Sequence, residues 1–574
     1  MAEYDLVVRG GRIVDGTGAP AVRGDVAVAA GRIVAVGRVP GRGTEEIDAD
    51  GAVVTPGFVD IHTHYDGQAT WEERMTPSSQ HGVTTVVTGN CGVGFAPCRP
   101  DQHDLLVELM EGVEDIPEVV MTAGLPWTWE TFPEFLDVLA SRRLDVDLAA
   151  QVPHSAVRVY VMGERGAARE VPTDGDLAAM RGLVAEAVRA GALGVTTSRS
   201  IHHRTRAGEQ APSIGSEERE LLALAAGLRD AGTGVFQLMP SVESPAEVEV
   251  ALMRRLAAAS GRPLSFSLFQ INGEPDKWRT YLDLLEEAAA DGLPIRGQVF
   301  PRPIGFLFGL DLSIHPFALS PGFRPLLDLP LAEKVAAMRQ PEVRARLLAE
   351  EPADPNPFLL HMAGRYVEAH VMGDPPDYEP DPEQTIGRRA ARLGVRPLEY
   401  VYDLLLADEG RTVLFCPSGN YARGTLDDAR TMAEHPATVL GLGDGGAHYG
   451  LVCDSSYPTS LLQDWVQQPR GERRMDLSRA VAELSDVPAR AVGLADRGRL
   501  APGYRADLNV IDLERLHLHR PSVVHDLPAG GRRLRQQADG YVVTVAGGAV
   551  TRRDGEPTGE LPGRLVRGAQ PAPA

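Results

Sequence analysis

The sequence predicts an α/β fold, a (β/α)8 TIM-type barrel joined to a small β-sandwich that both chain ends build together. Between residues 56 and 495, short apolar runs typical of strands alternate with helical patterns, as strand–helix units do in such a barrel. Residues 1–55 and 496–555 hold short β-type runs broken by glycine turns. At 574 residues the chain exceeds the roughly 250–300 residues of one core, so several units are expected.

Apolar runs typical of strands follow one another through the barrel region. In chain order they are VVTPGFVDIHTH, HGVTTVVTGNCG, VDLAAQVPH, ALGVTTSRS, VFQLMPS, SFSLFQING, LPIRGQVF, RTVLFCPSG and ATVLGLGDGG. RTVLFCPSG is interpreted as the seventh strand of the barrel. Amphipathic helices are predicted between the runs; in one of them Met180, Val184 and Val188 recur at helical spacing. Thr173 or Asp174 can cap the start of that helix.

Two segments depart from this alternation. Residues 301–400 are rich in proline and aromatic residues, which predicts a long insertion late in the barrel that serves as a lid or a substrate pocket. Residues 556–574 are rich in proline and glycine, which predicts a mobile tail.

The net charge of −22 and the absence of basic runs exclude nucleic acid and anionic membranes as expected partners. A small-molecule substrate is expected instead, bound by a homo-oligomer. The four cysteines show no disulfide framework, and the N-terminal segment has no pattern of a signal peptide. No apolar run is long enough to cross a bilayer. These features predict a cytoplasmic location.

The run GFVDIHTHYD holds the strongest chemical signal. His62 and His64 are two residues apart at the end of an apolar strand, and residues i and i+2 of a strand point to the same face. Both imidazoles can therefore bind one cation, and imidazole is a favoured ligand of Zn²⁺. A surface pair of histidines is the alternative, but the position at the first barrel strand favours a metal.

Several motifs together resemble the amidohydrolase superfamily and, within it, the N-acyl-D-amino-acid deacylase (D-aminoacylase-like) group. They are VVTPGFVDIHTHYD, TTVVTGNCGVGFAPC, HSAVR, GALGVTTS, VLGLGDGGAH and GLADRGRLAPGYRADLNVID. The resemblance covers nearly the whole chain. It implies a barrel with metal at its C-terminal face, together with the small β-sandwich.

The resemblance also implies roles for individual residues. His62 and His64 match the paired ligands of the first strand, and Cys91 matches a cysteine that binds metal in this group. A buried structural thiol is the alternative for Cys91. Asp444 matches the aspartate of the last strand, which binds metal and acts as general base. A turn residue before Gly445 is the alternative for Asp444.

The chemistry of a bound cation agrees with these roles. A cation lowers the pKa of its water toward about 7, and a carboxylate such as Asp444 can take the proton and return it to the leaving nitrogen. The expected function is therefore metal-dependent hydrolysis of an amide-type C–N bond, in an N-acyl amino acid. A cyclic amide or carbamate hydrolase is one alternative. A catalytically inactive barrel with a binding or regulatory role is another.

The sequence departs from the deacylase group at strands five and six. Leu238 and Leu268 are interpreted as standing where that group has histidines, and leucine cannot bind a metal. Lys277 lies after strand six, so no lysine is available for a carbamate bridge at strand four. One divalent ion, Zn²⁺, is therefore favoured over two, held by His62, His64 and Asp444 with or without Cys91. Two other interpretations are that residues from elsewhere in the chain replace the missing ligands, or that the activity is lost.

Further polar residues are candidates for substrate binding. Arg199, His203 and Arg204 form a basic group after the fourth strand, and arginine binds carboxylates through paired hydrogen bonds. A solvated loop is the alternative. The remaining candidates are His154, Asn420, Tyr421 and His448. His154, His202 and His203 are also the candidates for replacement metal ligands.

Overall fold

A computed structural model describes residues 2–470 and 474–574. The strands, in chain order, are β1 (Tyr4–Ile13), β2 (Val22–Ala29), β3 (Arg32–Gly37), β4 (Gly43–Asp48), β5 (Val53–Pro56), β6 (Phe58–Asp60), β7 (Val83–Thr88), β8 (Asp147–Ala150), β9 (Val152–Pro153), β10 (Gly194–Ser198), β11 (Val235–Met239), β12 (Leu264–Ser267), β13 (Ile295–Val299), β14 (Ile304–Phe308), β15 (His370–Val371), β16 (Leu414–Gly419), β17 (Thr438–Leu440), β18 (Leu508–Ile511), β19 (His517–Leu518), β20 (Ser522–Val524), β21 (Arg533–Arg535), β22 (Ala538–Asp539), β23 (Tyr541–Ala546), β24 (Ala549–Arg553) and β25 (Glu556–Pro557).

The α-helices lie mostly between these strands. They are α1 (Gln68–Trp71), α2 (His103–Glu114), α3 (Glu118–Gly124), α4 (Phe132–Ser141), α5 (His154–Met162), α6 (Glu164–Ala167), α7 (Asp174–Ala190), α8 (Glu218–Ala231), α9 (Ala246–Ser260), α10 (Lys277–Ala290), α11 (Leu331–Met338), α12 (Pro341–Leu347), α13 (Pro357–Gly364), α14 (Ile386–Leu393), α15 (Pro397–Leu405), α16 (Asp427–Ala433), α17 (Tyr457–Ser460), α18 (Leu477–Leu484) and α19 (Asp486–Ala491). Helix α7 is capped by Thr173, whose hydroxyl accepts a hydrogen bond from the main chain of Asp176, and ends at Gly191. The α/β class is confirmed.

Parallel strands occupy eight successive positions in the barrel-type part. Strands β6, β7 and β8 pair in one run, and β9, β10, β11, β12, β13 and β17 pair in that order in another. Only Gln151 separates β8 from β9, so these two count as one position. Beyond the strand ends, the amide of Asp444 donates to the carbonyl of His62 over 3.0 Å, and the amide of His64 donates to that of Gly445 over 2.8 Å. These bonds join the segment after β17 to the segment after β6.

The seventh strand position differs from the prediction. It is β13, whereas the run RTVLFCPSG forms β16, the central strand of a separate sheet with β14 and β15. Strand β16 pairs antiparallel with both neighbours. A short apolar run does not reveal which sheet it joins, because a strand buried in either core has the same pattern. The insertion between β13 and β17 is therefore longer than 301–400, and it has its own apolar core, with Phe308, Val401 and Leu414 fully buried.

The two chain ends meet in one nine-stranded sheet of order β25-β24-β23-β18-β5-β1-β2-β3, with β4 alongside β1. The junction is the antiparallel pair β5–β18, in which Val54 lies opposite Val510. Between β18 and β23 the chain leaves this sheet and forms the small pairs β19–β22 and β20–β21. This excursion reaches the barrel mouth, where the amide of Leu534 donates to the carbonyl of Tyr449 over 2.7 Å.

Buried ion pairs attach the C-terminal region to the barrel. Asp147, at the start of β8, accepts a hydrogen bond of 2.8 Å from Arg497 and another of 2.8 Å from Arg505. Arg497 also donates to the hydroxyl of Thr85 over 2.9 Å. Removing one partner of a buried pair leaves a charge without compensation and costs about 3–5 kcal/mol, so this cluster fixes where the two parts meet.

The C-terminal segment does not behave as its composition predicts. Residues 556–574 lie against the barrel: the amide of Gly563 donates to the carbonyl of Leu144 over 2.7 Å, and the amide of Gly568 donates to that of Gly191 over 2.8 Å. Proline and glycine content does not show such main-chain pairing in advance. No helix in residues 2–470 or 474–574 combines the length and apolar character needed to span a bilayer.

We predict that His315 makes the protein less stable in acid. His315 is buried in the insertion, and burial, together with the charges of Lys334 and Arg532, lowers its pKa from 6.5 to about 3. The unfolded chain therefore binds a proton that the folded chain excludes once the pH falls below about 6.5. The lost stability is about 1.4 kcal/mol for each pH unit between about 6.5 and 3.

The test compares thermal unfolding at pH 7 and pH 5. We expect the midpoint of His315→Gln to fall less between these two values than that of the wild type. His525→Gln is the matched control, because the His525 side chain is 59% exposed. Equal falls in His315→Gln and wild type would contradict the prediction.

Candidate metal and catalytic site

The paired histidines lie directly after the first barrel strand. Strand β6 ends at Asp60, and its carboxylate accepts a hydrogen bond of 3.1 Å from the amide of His62. His62 and His64 therefore lie in the loop that leaves the strand, not in the strand itself. Both rings are 1% exposed, and their centroids are 5.6 Å apart. The short turn brings the rings together where the sequence pattern places them.

Four potential metal-binding side chains converge at this point. Oδ1 of Asp444 lies 3.5 Å from Nε2 of His62 and 3.5 Å from Nε2 of His64. Sγ of Cys91 lies 3.3 Å from Nε2 of His62. The donor atoms of His62, His64 and Cys91 all lie within 4.8 Å of one another. Ligand atoms about 2.1 Å from a tetrahedral Zn²⁺ are about 3.4 Å apart, so the separations of 3.3 Å and 3.5 Å that Cys91 and Asp444 make with Nε2 of His62 suit one divalent cation.

His62 has a hydrogen-bond partner that fixes its ring. Nδ1 of His62 lies 2.7 Å from Oε1 of Gln298 on β13, and Nε2 of Gln298 donates to the hydroxyl of Ser265 over 2.9 Å. Because the amide oxygen only accepts, Nδ1 carries the proton and the lone pair of Nε2 faces Asp444. This is the arrangement in which an imidazole binds metal best.

Glu114 is a site residue that the sequence analysis missed. It ends α2, is 2% exposed, and lies with Oε1 3.4 Å from Nδ1 of His64 and with Oε2 3.5 Å from Nε2 of His448. The carboxylate therefore links the two imidazoles. One signal could have found it: Glu114 lies four residues after the buried Met110, on the apolar face of its helix, where a glutamate is unusual.

Burial and neighbouring charges shift the pKa values of these groups. Burial lowers the pKa of His62 to about 4. Burial opposes a charge on His64, but the Glu114 and Asp444 carboxylates raise the pKa of His64 well above its ordinary value. Burial raises the pKa of Cys91 to about 11 and that of Glu114 to about 7. The pocket thus holds acidic groups that only His64 balances, and a cation would relieve this imbalance.

Three residues of the site have left-handed backbone conformations. The φ angles are 55° at Cys91, 47° at Asp444 and 51° at His448. Such conformations are uncommon in residues other than glycine, cost about 1–3 kcal/mol each and cluster at functional sites. Gly92 follows Cys91 and Gly445 follows Asp444, so the sharp turns that aim these side chains have a local sequence cause.

A comparison with known proteins agrees with this geometry. A sequence model of the amidohydrolase family matches residues 45–552. The chain belongs to the amidohydrolase family. The predicted family is confirmed, and the protein is an amidohydrolase, an enzyme that acts on carbon–nitrogen bonds other than peptide bonds.

Several known proteins are similar to this amidohydrolase over nearly its whole length. An N-acyl-D-aspartate deacylase from Alcaligenes xylosoxydans xylosoxydans is 29% identical over 98% of this chain and 95% of its own. The structure of an N-acyl-D-glutamate deacylase from Bordetella bronchiseptica, complexed with zinc and a phosphonate inhibitor, matches with a TM-score of 0.65 and 22% identity over 98% of this chain and 99% of that one. A D-aminoacylase structure with a binuclear metal center matches with a TM-score of 0.64 and 22% identity over 98% and 100%. The structural matches show a shared fold.

The positions that face the site on strands five and six differ from those predicted. On β11 the inward residue is Gln237, whose Oε1 accepts a hydrogen bond of 3.2 Å from the amide of Cys91, so its neighbour Leu238 points the other way. On β12, Ser265 contacts Gln298, so Ser267 shares the inward face and Leu268 does not. The inward positions of strands five and six are thus occupied by Gln237 and Ser267, and neither residue is a histidine.

The loop after β10 lies beside the site through His203. Burial and the charges of His64 and His448 lower the pKa of His203 to about 3. Its Nδ1 is buried and has no hydrogen-bond partner among the described residues. His202 instead lies next to Phe358 of the insertion, with ring centroids 5.0 Å apart. The structure therefore brings His203, but not His202, to the candidate site.

The other predicted substrate contacts are occupied by protein partners. The guanidinium of Arg199 pairs with the buried Glu249 at 3.0 Å, and that of Arg204 donates to the carbonyl of Gly208 over 2.9 Å. His154 lies between Thr197 at 2.8 Å and Glu220 at 2.9 Å. These contacts hold the loops after β9 and β10 in place.

Asn420 and Tyr421 also bond to the protein main chain. The amide of Asn420 donates to the carbonyls of Phe300 over 3.0 Å and Arg302 over 3.2 Å. The hydroxyl of Tyr421 donates to the carbonyl of Pro380 in the insertion. Both residues tie the segment after β16 to its surroundings.

We predict that Gln298 sets the metal affinity through His62. Gln298→Leu removes the acceptor of the His62 Nδ1–H, and loss of such a partner typically costs 10–100-fold in metal affinity. Competition with a chromophoric chelator would measure this loss. Gln298→Glu keeps an acceptor oxygen at the same place and is expected to retain binding. Equal affinities in Gln298→Leu and wild type would contradict this role of the hydrogen bond.

Proposed function

We propose that this amidohydrolase hydrolyses the amide bond of an N-acyl amino acid, with one Zn²⁺ held by residues of the group His62, His64, Cys91 and Asp444 and with one coordination position left to water. The observation that carries the proposal is the convergence of these side chains at the ends of barrel strands in a chain related to deacylases along its whole length. Two imidazoles, a thiol and a carboxylate are the donor types that Zn²⁺ prefers.

A bound Zn²⁺ supplies a Lewis acid that polarises a carbonyl and makes hydroxide available near neutral pH. The proton transfers are assigned to residues of the chain. Asp444 is the general base: it takes the proton of the attacking water and delivers it to the leaving nitrogen. Burial alone would raise the pKa of Asp444, but the hydrogen bond from His64 and the charge of His62 hold it below the ordinary value. Asp444 therefore starts the reaction ionised, as a base must.

His203 and His448 are the proposed contacts of the reacting carbonyl. Burial lowers the pKa of His448 to about 4, and His203 is likewise held neutral, so each can donate one hydrogen bond without carrying a charge. Nδ1 of His203 is buried without a protein partner among the described residues, so it is free to bond to substrate. Donors aimed at a developing oxyanion are worth about 2.7–4 kcal/mol each in other enzymes.

The proposal of a single ion is supported by the lining of the barrel near Cys91. The inward side chains there are Gln237 and Ser267, and both Nε2 of Gln237 and Oγ of Ser267 are buried without hydrogen-bond partners among the described residues. Neutral amides and hydroxyls are weak ligands for Zn²⁺, whereas they bind water or a substrate carbonyl well. We infer that the space a second ion would need is used for polar contacts to substrate.

The proposed substrates are N-acyl-D-amino acids, with an acidic side chain preferred. The support is the named activity of the relatives, an N-acyl-D-aspartate deacylase and an N-acyl-D-glutamate deacylase. The arginine cluster gives less support than the sequence suggested, because Arg199 is paired with Glu249. A cyclic amide or carbamate substrate remains the alternative that a substrate panel tests.

We predict that Asp444→Asn abolishes turnover. The amide keeps the shape of the side chain but cannot accept and return a proton, and proton transfer typically contributes 10²–10⁴-fold to the rate. The measurement is kcat at saturating Zn²⁺, with bound zinc determined on the same sample. Asp454→Asn is the matched control, since Asp454 is a nearby, partly buried aspartate that pairs with Arg302 at 2.8 Å. Turnover within tenfold of wild type in Asp444→Asn would refute the general-base role.

The substrate class and the metal requirement are tested together. We expect N-acetyl-D-aspartate and N-acetyl-D-glutamate to be hydrolysed faster than neutral N-acetyl-D-amino acids, L-enantiomers and hydantoins. Chelation should remove this activity, and one equivalent of Zn²⁺ should restore it. Preferred hydrolysis of a hydantoin or a carbamate would establish the alternative enzyme. Zinc binding at the site without turnover of any compound would favour the inactive barrel.

A further inference from the structure

A second group of metal-type donors lies where the insertion contacts the C-terminal excursion. It consists of His517 and His519, from β19 and the residue after it, and Asp374, which follows β15. None of these residues belongs to the proposed catalytic site. The donor atoms of the three side chains lie within 4.8 Å of one another, and all three residues are at least partly exposed.

The two histidines are again two residues apart on an extended segment, so both rings lie on one face. Their centroids are 4.6 Å apart. Oδ1 of Asp374 lies 3.7 Å from Nε2 of His517 and 3.8 Å from Nδ1 of His519. Ligand atoms about 2.1 Å from a tetrahedral Zn²⁺ are about 3.4 Å apart, so small movements of exposed side chains would complete this geometry.

Two further contacts orient these donors. Nε2 of His519 lies 2.9 Å from Oδ2 of Asp539 on β22, so this nitrogen carries the proton and Nδ1 presents its lone pair toward Asp374. A carboxylate on the distant nitrogen of a metal-binding imidazole is the common arrangement in proteins. The amide of Arg520 donates to Oδ1 of Asp374 over 3.1 Å, and its guanidinium pairs with Asp408 at 3.2 Å. The arginine charge nearest the group is therefore compensated.

We propose that His517, His519 and Asp374 form a second binding site for a divalent transition metal such as Zn²⁺, separate from the catalytic ion. Two imidazoles and a carboxylate are donors that suit Zn²⁺, Ni²⁺ and Cu²⁺, and solvent completes the coordination. The bound ion joins the insertion to the C-terminal excursion. It holds β15 against β19 in addition to the ion pair between Arg520 and Asp408.

The test is a calorimetric titration of Zn²⁺ into the full-length protein, after bound metal has been removed with a chelator. Wild type is expected to show two binding events, and His517→Ala/His519→Ala is expected to lose the weaker one and keep the other. His62→Ala/His64→Ala is expected to lose only the tighter event. His525→Ala is the matched control for removal of an exposed histidine, because its nearest carboxylate, Asp311, is 4.0 Å away.

A variant that keeps all three ligands tests the orientation of His519. Asp539→Asn is expected to weaken the second event 10–100-fold, because an amide is a poorer partner for the imidazole. Hydrogen exchange of residues 370–374 and 517–520 should slow when the second equivalent binds to wild type, but not in the double variant. A second event that persists unchanged in His517→Ala/His519→Ala, or a wild type whose single event survives in that variant, would overturn the proposal.

Discussion

The structure depends on one electrostatic constraint, which is the burial of acidic groups around two imidazoles. Asp444, Glu114 and Cys91 lie within a few ångströms of His62 and His64; Glu114 and both imidazoles are almost fully buried, and the side chain of Asp444 is 23% exposed. Burial of such groups without compensation costs several kcal/mol, and His64 alone cannot balance them. A divalent cation removes this cost. The proposed metal site would therefore couple metal binding to the stability of the barrel mouth.

The surrounding protein holds this arrangement through contacts that are distant in sequence. Gln298 on β13 fixes the ring of His62, and the side-chain Oε1 of Gln237 on β11 accepts a hydrogen bond from the amide of Cys91 and so positions the turn that carries it. Helix α2, inserted after β7, contributes Glu114 from above. The left-handed φ angles at Cys91 and Asp444 show that local strain is accepted to aim these side chains. Many residues of the site thus serve to position the small number of atoms that react.

Neutral polar residues line the barrel near Cys91. Gln237 and Ser267 occupy the inward positions at the ends of strands five and six, and they leave hydrogen-bonding atoms free instead of offering imidazoles. Such a lining supports the proposal of one ion with polar contacts to substrate beside it. The insertion adds a separate core over the barrel, and its ties to the C-terminal excursion through Arg520 and Asp408 fix its position.

The sequence by itself determined the α/β class and the family, and it predicted His62 and His64 from their spacing and Cys91 and Asp444 through the family resemblance. Their signals are local, because apolar strand runs, glycine turns and short spacings are written in consecutive residues. Only the tertiary structure decided that β13 is the seventh strand, that Gln237 and not Leu238 faces Cys91, and that Glu114 joins the site. The pairing of strands, the direction of a side chain and the meeting of distant segments depend on the whole packed chain. A short segment of the sequence therefore does not reveal them.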